Sequence, residues 1–295
     1  MTGAFYPADE AAYRAWRERK LARYPKTLSE LVVQVRDPRA LRPAERQAIL
    51  DACSRANMAV CAGTTGDDPD KEIPRALGRQ LGLLTLAPNV LADDDGISPL
   101  AVADVSSSKP ARAEFIPYTS HGIKWHTDGY YNGPGREVRA LLLHCVARAQ
   151  TGGENALLDH EIAYLQLRDE DPEFIRALMA HDTMTIPART DRGRVERAAQ
   201  SGPVFSVDAR GHLHMRYTAR TVSIEWKNDP ETAAARSALE RILAAPSPFV
   251  FGGLLEAGMS LVCNNILHTR TPFADSKEHK RLIYRARYYE RVGDG

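Results

Sequence analysis

His126 and Asp128 stand two residues apart in the stretch Trp125-His126-Thr127-Asp128-Gly129, and His268 follows far downstream in Asn265-Ile266-Leu267-His268-Thr269-Arg270. Side chains two apart on an extended strand lie on one face. The pair therefore offers one imidazole nitrogen and one carboxylate oxygen to a single ion, with His268 as third ligand. Two histidines and a carboxylate on one side of a metal, with coordination positions open opposite, suit Fe(II) and dioxygen chemistry. Alone, a His-x-Asp triplet arises easily by chance, and a single histidine is more often a hydrogen-bonded structural residue. The neighbouring sequence strengthens the chemical reading. A glycine-rich run, Gly129-Tyr130-Tyr131-Asn132-Gly133-Pro134-Gly135, follows the first pair directly and suits a pocket lining. Beyond His268, Arg281 and Arg285 are four apart and share a face if the segment is extended. A guanidinium grips a carboxylate through two parallel hydrogen bonds. The ordinary alternative for a single arginine is a surface ion pair.

These residues need a scaffold that brings distant segments together. Apolar spacing predicts a peripheral helix over 11–24, a strand over 31–35, a helix starting at Pro43 and running to about 57, and a buried strand over 58–61. A further helix is expected over 70–81, although Pro74 counts against it. The acid-, serine- and proline-rich stretch 93–113 is expected to include mobile loop. From 115 onward short strands dominate: 115–118, 123–128, 138–147, 156–159, 182–187, 204–208 and 212–217, the last two joined at Ala209-Arg210-Gly211. Helical insertions fall at 161–179, broken near Pro172, and at 230–245. Strands resume at 249–251, 260–264 and 282–289. Many short strands with ligands on two distant ones fit a mainly β fold with flanking helices, a double-stranded β-helix (jelly-roll, cupin-like) core. The expectation is one domain over 1–295, with residues 1–110 packed on the barrel.

The chain has 295 residues, 43% hydrophobic and 26% charged, with a formal net charge of +1. That balance gives no reason to expect nucleic acid or an anionic membrane as partner. No apolar run approaches the roughly 18 residues of a membrane span. The first ten residues lack a basic-then-apolar leader pattern. Cys53, Cys61, Cys145 and Cys263 have no metal-type spacing and read as buried thiols in a reducing compartment, so a cytoplasmic location is expected. A homo-oligomer is left open.

His126-x-Asp128, the Gly152-Gly153-Glu154-Asn155 turn, His268 and Arg281-Leu282-Ile283-Tyr284-Arg285 together resemble the taurine dioxygenase-like (TauD/TfdA) family of Fe(II)- and 2-oxoglutarate-dependent dioxygenases. The likeness covers roughly 115–287. It implies that His126, Asp128 and His268 hold iron and that Arg281 binds the remote carboxylate of 2-oxoglutarate. Asn155 stands where many relatives place a threonine that contacts the same carboxylate. Arg285 matches a position that contacts a substrate's anionic group or supports the cosubstrate, and Tyr130 and Tyr131 would enclose the substrate. The implied reaction consumes O2 and 2-oxoglutarate, releases succinate and CO2, and hydroxylates an unactivated C–H bond of a small polar, carboxylate-bearing molecule. Retention of Asp128 disfavours halogenation, because related halogenases vacate the carboxylate position. Tyr118, His121, Lys124, Arg139 and Arg216 are further polar candidates near the expected pocket mouth. Alternatives are a non-catalytic metal- or 2-oxoglutarate-binding sensor on the same fold, or a desaturase or other oxidative tailoring enzyme. A zinc hydrolase is weaker, since no His-Glu-x-x-His helix is present.

Overall fold

The structure is a computed structural model and describes residues 2–88, 91–103, 110–191, 194–220, 222 and 224–294. Its contacts divide the chain into two compact units. One holds Met1–Tyr24, Trp125–Glu137 and Leu158–Val250; the other holds Pro25–Lys124, Val138–Leu157 and Phe251–Gly295.

Ten strands form the two larger sheets: β1 (Val32–Gln34), β2 (Met58–Ala62), β3 (Ser98–Leu100), β4 (Ile123–His126), β5 (Ala140–Ala147), β6 (Asn155–Leu158), β7 (Val250–Gly253), β8 (Met259–Cys263), β9 (Leu267–Arg270) and β10 (Leu282–Tyr288). One sheet runs β1-β2-β8-β5-β10-β3 and the other β7-β6-β9-β4. The chain alternates between them, with β8 and β10 in the first and β9 in the second. That alternation is jelly-roll topology. Strand β5 lies at the centre of the six-stranded sheet, antiparallel to β8 and β10. Its sequence Ala-Leu-Leu-Leu-His-Cys-Val-Ala is buried almost throughout, as a strand covered on both faces requires.

Helices α2 (Pro43–Ala56) and α3 (Glu72–Gln80) belong to the same unit. Pro43 opens α2, where its missing N–H costs nothing, and Glu45 reaches back to the Arg42 backbone N–H at 2.8 Å. Pro74 does not break α3, because it falls in the first turn, where no intrahelical donor is needed. Gly78 lets α3 approach β10: a Cβ there would lie 2.6 Å from the Tyr288 hydroxyl oxygen.

The other unit is largely helical. Helix α1 (Glu10–Arg23) is tied to α4 (His160–Glu170) by Lys20, buried between Asp159 and Glu161 at 2.6 Å from each. Pro172 ends α4 and starts α5 (Pro172–Leu178), with Asp171 capping the second helix through the Glu173 N–H. Helix α6 (Pro230–Ala244) packs on both. The Phe205–Val207 and Leu213–Met215 strands form the expected hairpin. Among the described residues, no helix is long and apolar enough to cross a membrane.

One sequence expectation needs correction. Residues 115–118 are not a strand; Ile116–Tyr118 is a 3-10 turn, which Pro117 favours by withholding a ladder donor. The stretch 93–113 also carries regular structure. Ser98–Leu100 forms the edge strand β3, while Asp93 pairs with Lys71 and Arg112, both at 2.6 Å. Residues 104–109 of that expectation lie outside the described residues.

Candidate metal centre

His126 is the last residue of β4. Backbone pairing holds it on both sides: Ala219 N–H donates to the Trp125 carbonyl at 2.8 Å, and Thr127 N–H donates to the Tyr217 carbonyl at 2.9 Å. Asp128 lies past the strand end, in a turn that Gly129 (φ +71°) and the Asn132 N–H to Gly129 carbonyl bond close. The two residues therefore come together through a strand end and a turn, not through strand alternation alone. His268 sits within β9, and its Nδ1 lies 3.0 Å from the Ile266 carbonyl oxygen. Only a protonated Nδ1 makes that bond, so Nε2 keeps its lone pair for a metal. Just before β9, Asn265 adopts φ +50° and donates its side-chain N–H to the Val138 carbonyl at 2.6 Å.

All three side chains are buried, and one ligand atom from each lies within 4.8 Å of the others. Metal–ligand bonds of about 2.0–2.2 Å allow donor separations up to roughly 4 Å, so small side-chain rotations close the set around one ion. The donor chemistry also fits: two neutral imidazoles and one carboxylate match an open-sided Fe(II) site.

A wall of arginines stands on the same unit as His268. Along β10, alternation puts Ile283, Arg285 and Arg287 on one face, opposite Cys145, Leu143 and Leu141 of β5. Tyr284 faces the other way, its hydroxyl donating to the Pro69 carbonyl at 2.8 Å. Arg281 precedes the strand and is anchored by its own backbone N–H to Asp275 at 3.0 Å. Its guanidinium lies 5.1 Å from the Phe273 ring centroid, and its Nε is 3.5 Å from where a Cβ on Gly153 would sit. The expected Gly-Gly turn thus backs the arginine. Gly152 is required there, since a Cβ would come within 2.2 Å of the Pro272 carbonyl oxygen. Nη1 of Arg281 is buried and finds no acceptor among the described residues. A carboxylate would satisfy it, so this wall fits the remote carboxylate of 2-oxoglutarate. Burial lowers the Arg281 pKa, with Cys145 and Asp275 opposing that shift. The guanidinium remains charged at neutral pH.

Arg270, two residues after His268 on β9, completes the wall, and the sequence reading gave it no role. Its guanidinium donates to the carbonyls of Ile116 (3.3 Å), Pro117 (3.1 Å), Thr119 (2.7 Å) and His121 (2.5 Å). It also lies 4.9 Å from the Phe273 ring centroid. Burial first, then the charges of Arg281 and Arg285, push its pKa down to about 9. The available signal was its two-residue offset from a ligand on a strand.

Other expected residues are placed as follows. Asn155, at the start of β6, donates its amide to the Thr269 carbonyl at 2.7 Å, which ties β6 to the strand carrying His268. Tyr130 and Tyr131 follow Asp128 and pack edge to face at 5.3 Å. Arg216 is a structural residue: its guanidinium donates to the carbonyls of Tyr130, Met184, Gln200 and Gly202. Tyr118 is buried, with its hydroxyl on the Leu91 carbonyl at 3.0 Å. His121 and Lys124 are exposed.

With this geometry, the fold and ligand set define a double-stranded β-helix with a two-histidine, one-carboxylate centre. Residues 19–287 match the model of the taurine catabolism dioxygenase TauD, TfdA family, and the chain belongs to that family. It is 32% identical over 181 residues to a uridine-5'-phosphate dioxygenase from Amycolatopsis sp, and 35% identical over 177 residues to one from Streptomyces sp. Those alignments cover 58% and 57% of this chain, and span 62% of the length of each relative. Among solved structures, the chain superposes on the non-heme iron oxygenase OrfP in complex with Fe and alpha-ketoglutaric acid at a TM-score of 0.59 and 16% identity, covering 98% of this chain and 94% of that one. An asparagine oxygenase in complex with Fe(II), 2S,3S-3-hydroxyasparagine and succinate gives 0.58 and 14%, covering 96% and 85%. At such identities the superpositions establish the fold.

Proposed function

We propose that this chain is an Fe(II)- and 2-oxoglutarate-dependent dioxygenase that hydroxylates a small anionic molecule, with a nucleoside 5'-monophosphate as substrate. The single observation that carries the oxygenase reading is the buried His126–Asp128–His268 set. The matched relatives, which act on uridine 5'-phosphate by their names, support a phosphate-bearing substrate. Iron bound with 2-oxoglutarate and O2 supplies an oxidant for an unactivated C–H bond, with succinate and CO2 as by-products.

The chain's own residues divide the remaining work. His126, Asp128 and His268 would hold the metal. Arg281 fixes the remote carboxylate of 2-oxoglutarate against Phe273, and Arg285 adds its charge to the same wall. Asn155 holds β6 against Thr269, so that the turn behind Arg281 and the strand of His268 keep a fixed spacing. Tyr130 and Tyr131 border the substrate beside Asp128 and exclude water from it. Asp128 in the carboxylate position disfavours halogenation, and we infer hydroxylation as the outcome. The four cysteines are buried and form no disulfide, and we assign the protein to a reducing, cytoplasmic setting.

The test is succinate formation from 2-oxoglutarate by anaerobically iron-loaded protein, started with O2 and compared with and without uridine 5'-phosphate. Nucleotide-stimulated succinate release, abolished in His268→Ala, is expected. Absence of succinate under every substrate tried, with iron bound, returns the chain to a sensor role. Stimulation by neutral compounds but not by phosphomonoesters overturns the substrate class alone.

A further inference from the structure

We propose that Arg197, seated over Tyr131, is the grip for the phosphate of the substrate; this rests on the nucleotide reading above and names the residue that recognises the anion. Arg197 closes the strand Arg194–Arg197 and is only partly exposed. One terminal nitrogen donates to the Pro187 carbonyl at 2.8 Å. The other, Nη1, is shielded from solvent and has no acceptor among the described residues. Leaving a charged donor shielded and unsatisfied is costly, and a ligand oxygen placed there removes that cost.

The surroundings favour an anion. The guanidinium carbon is 5.9 Å from the Tyr131 ring centroid, so the ring attracts the cation electrostatically. Tyr131 packs edge to face on Tyr130, and Arg216 fixes Tyr130 by donating to its carbonyl at 2.7 Å. Burial works against the charge of Arg197 first, and Arg189 does so as well, while the two tyrosines favour it. Arg189 has its own acid, Glu196, at 2.9 Å. Gly133 lets the tyrosine loop approach this region closely, since a Cβ there would lie 2.6 Å from the Gln200 side-chain oxygen. The result is a forked donor beside an aromatic pair that begins two residues after the metal ligand Asp128. A phosphomonoester fits the fork, and the flat tyrosine faces suit a base or sugar. The wall around Arg281 has a different task, the carboxylate of 2-oxoglutarate, so the substrate's anion needs this second cation.

The experiment is anaerobic calorimetry on iron- and 2-oxoglutarate-loaded protein, titrated with uridine 5'-phosphate and separately with uridine. Arg197→Gln should weaken nucleotide binding roughly 10- to 100-fold, while Arg197→Lys loses less because it keeps the charge without the fork. Uridine should bind weakly and equally to all three proteins. Unfolding curves for both variants establish that they are folded. Nucleotide binding that ignores Arg197→Gln, uridine binding as tight as the nucleotide, or no nucleotide binding at all overturns the assignment. Arg197-dependent binding without stimulated succinate release keeps this site and sinks the substrate reading. Stimulated succinate release with an unchanged KM in Arg197→Gln does the reverse.

Discussion

Replacing Arg270 tests how the metal strand is held, because two large effects oppose each other there. Three of its carbonyl contacts are 3.1 Å or shorter. Hydrogen bonds from a charged donor contribute about 1.5–3 kcal/mol each, or roughly 5–9 kcal/mol for three. Against this stand burial and the like charges of Arg281 and Arg285, which lower its pKa from 12.5 to about 9. A shift of that size corresponds to about 5 kcal/mol. The bonds win by about 2 kcal/mol at the middle of the range, so Arg270→Leu should destabilise the fold by about that amount. Arg270→Lys keeps the buried charge and its repulsion but cannot reach four carbonyls from one nitrogen, so it should be no better than leucine. The carbonyls belong to 116–121, which leads into β4 and His126, so both variants should also release iron faster to a chelator. Urea unfolding gives the first quantity, and chelator competition gives the second. A leucine variant as stable as the wild type, or full rescue by lysine, would refute the argument that the fork holds this loop.

Three further outcomes are expected. Arg281→Ala should raise the KM for 2-oxoglutarate by a factor corresponding to about 2–5 kcal/mol, with a smaller effect on the KM for the primary substrate; equal effects on both would move the carboxylate contact elsewhere. Gly152→Ala should cost more stability than Gly211→Ala, measured by urea unfolding, since both have positive φ but only the first places a Cβ against backbone, 2.2 Å from an oxygen. His144 is buried, and burial first, then Arg39, pushes its pKa down to about 4, while Asp68 opposes the shift. Its neutral form is favoured in the fold, so its contribution is whole above pH 6.5 and is lost as pH falls to 4, by about 3 kcal/mol in all. His144→Leu should flatten that part of the stability–pH curve, and an unchanged slope would rule the residue out as its source.

The sequence by itself determined the ligand types, the order of the motifs and most elements, because these depend on local chemistry. Helices α1, α2 and α6 begin and end within about a residue of their expected limits, since their caps and prolines act on neighbouring backbone. The break at Pro172 was legible for the same reason. Tertiary structure decided what local patterns leave open. Strand β3 is too short to announce itself by periodicity and exists because β10 offers an edge to pair with. Asp128 meets His126 through a turn that depends on Gly129 and on pairing with 217–219, far along the chain. Arg270 and Arg216 look alike in sequence to Arg281 and Arg197. Arg216 has every donor nitrogen committed to carbonyls and Arg270 has both terminal nitrogens so committed, from segments distant in sequence, whereas Arg281 and Arg197 each keep one shielded terminal nitrogen without an acceptor among the described residues. An arginine's role is set by which acceptors surround it, and only the folded chain supplies them.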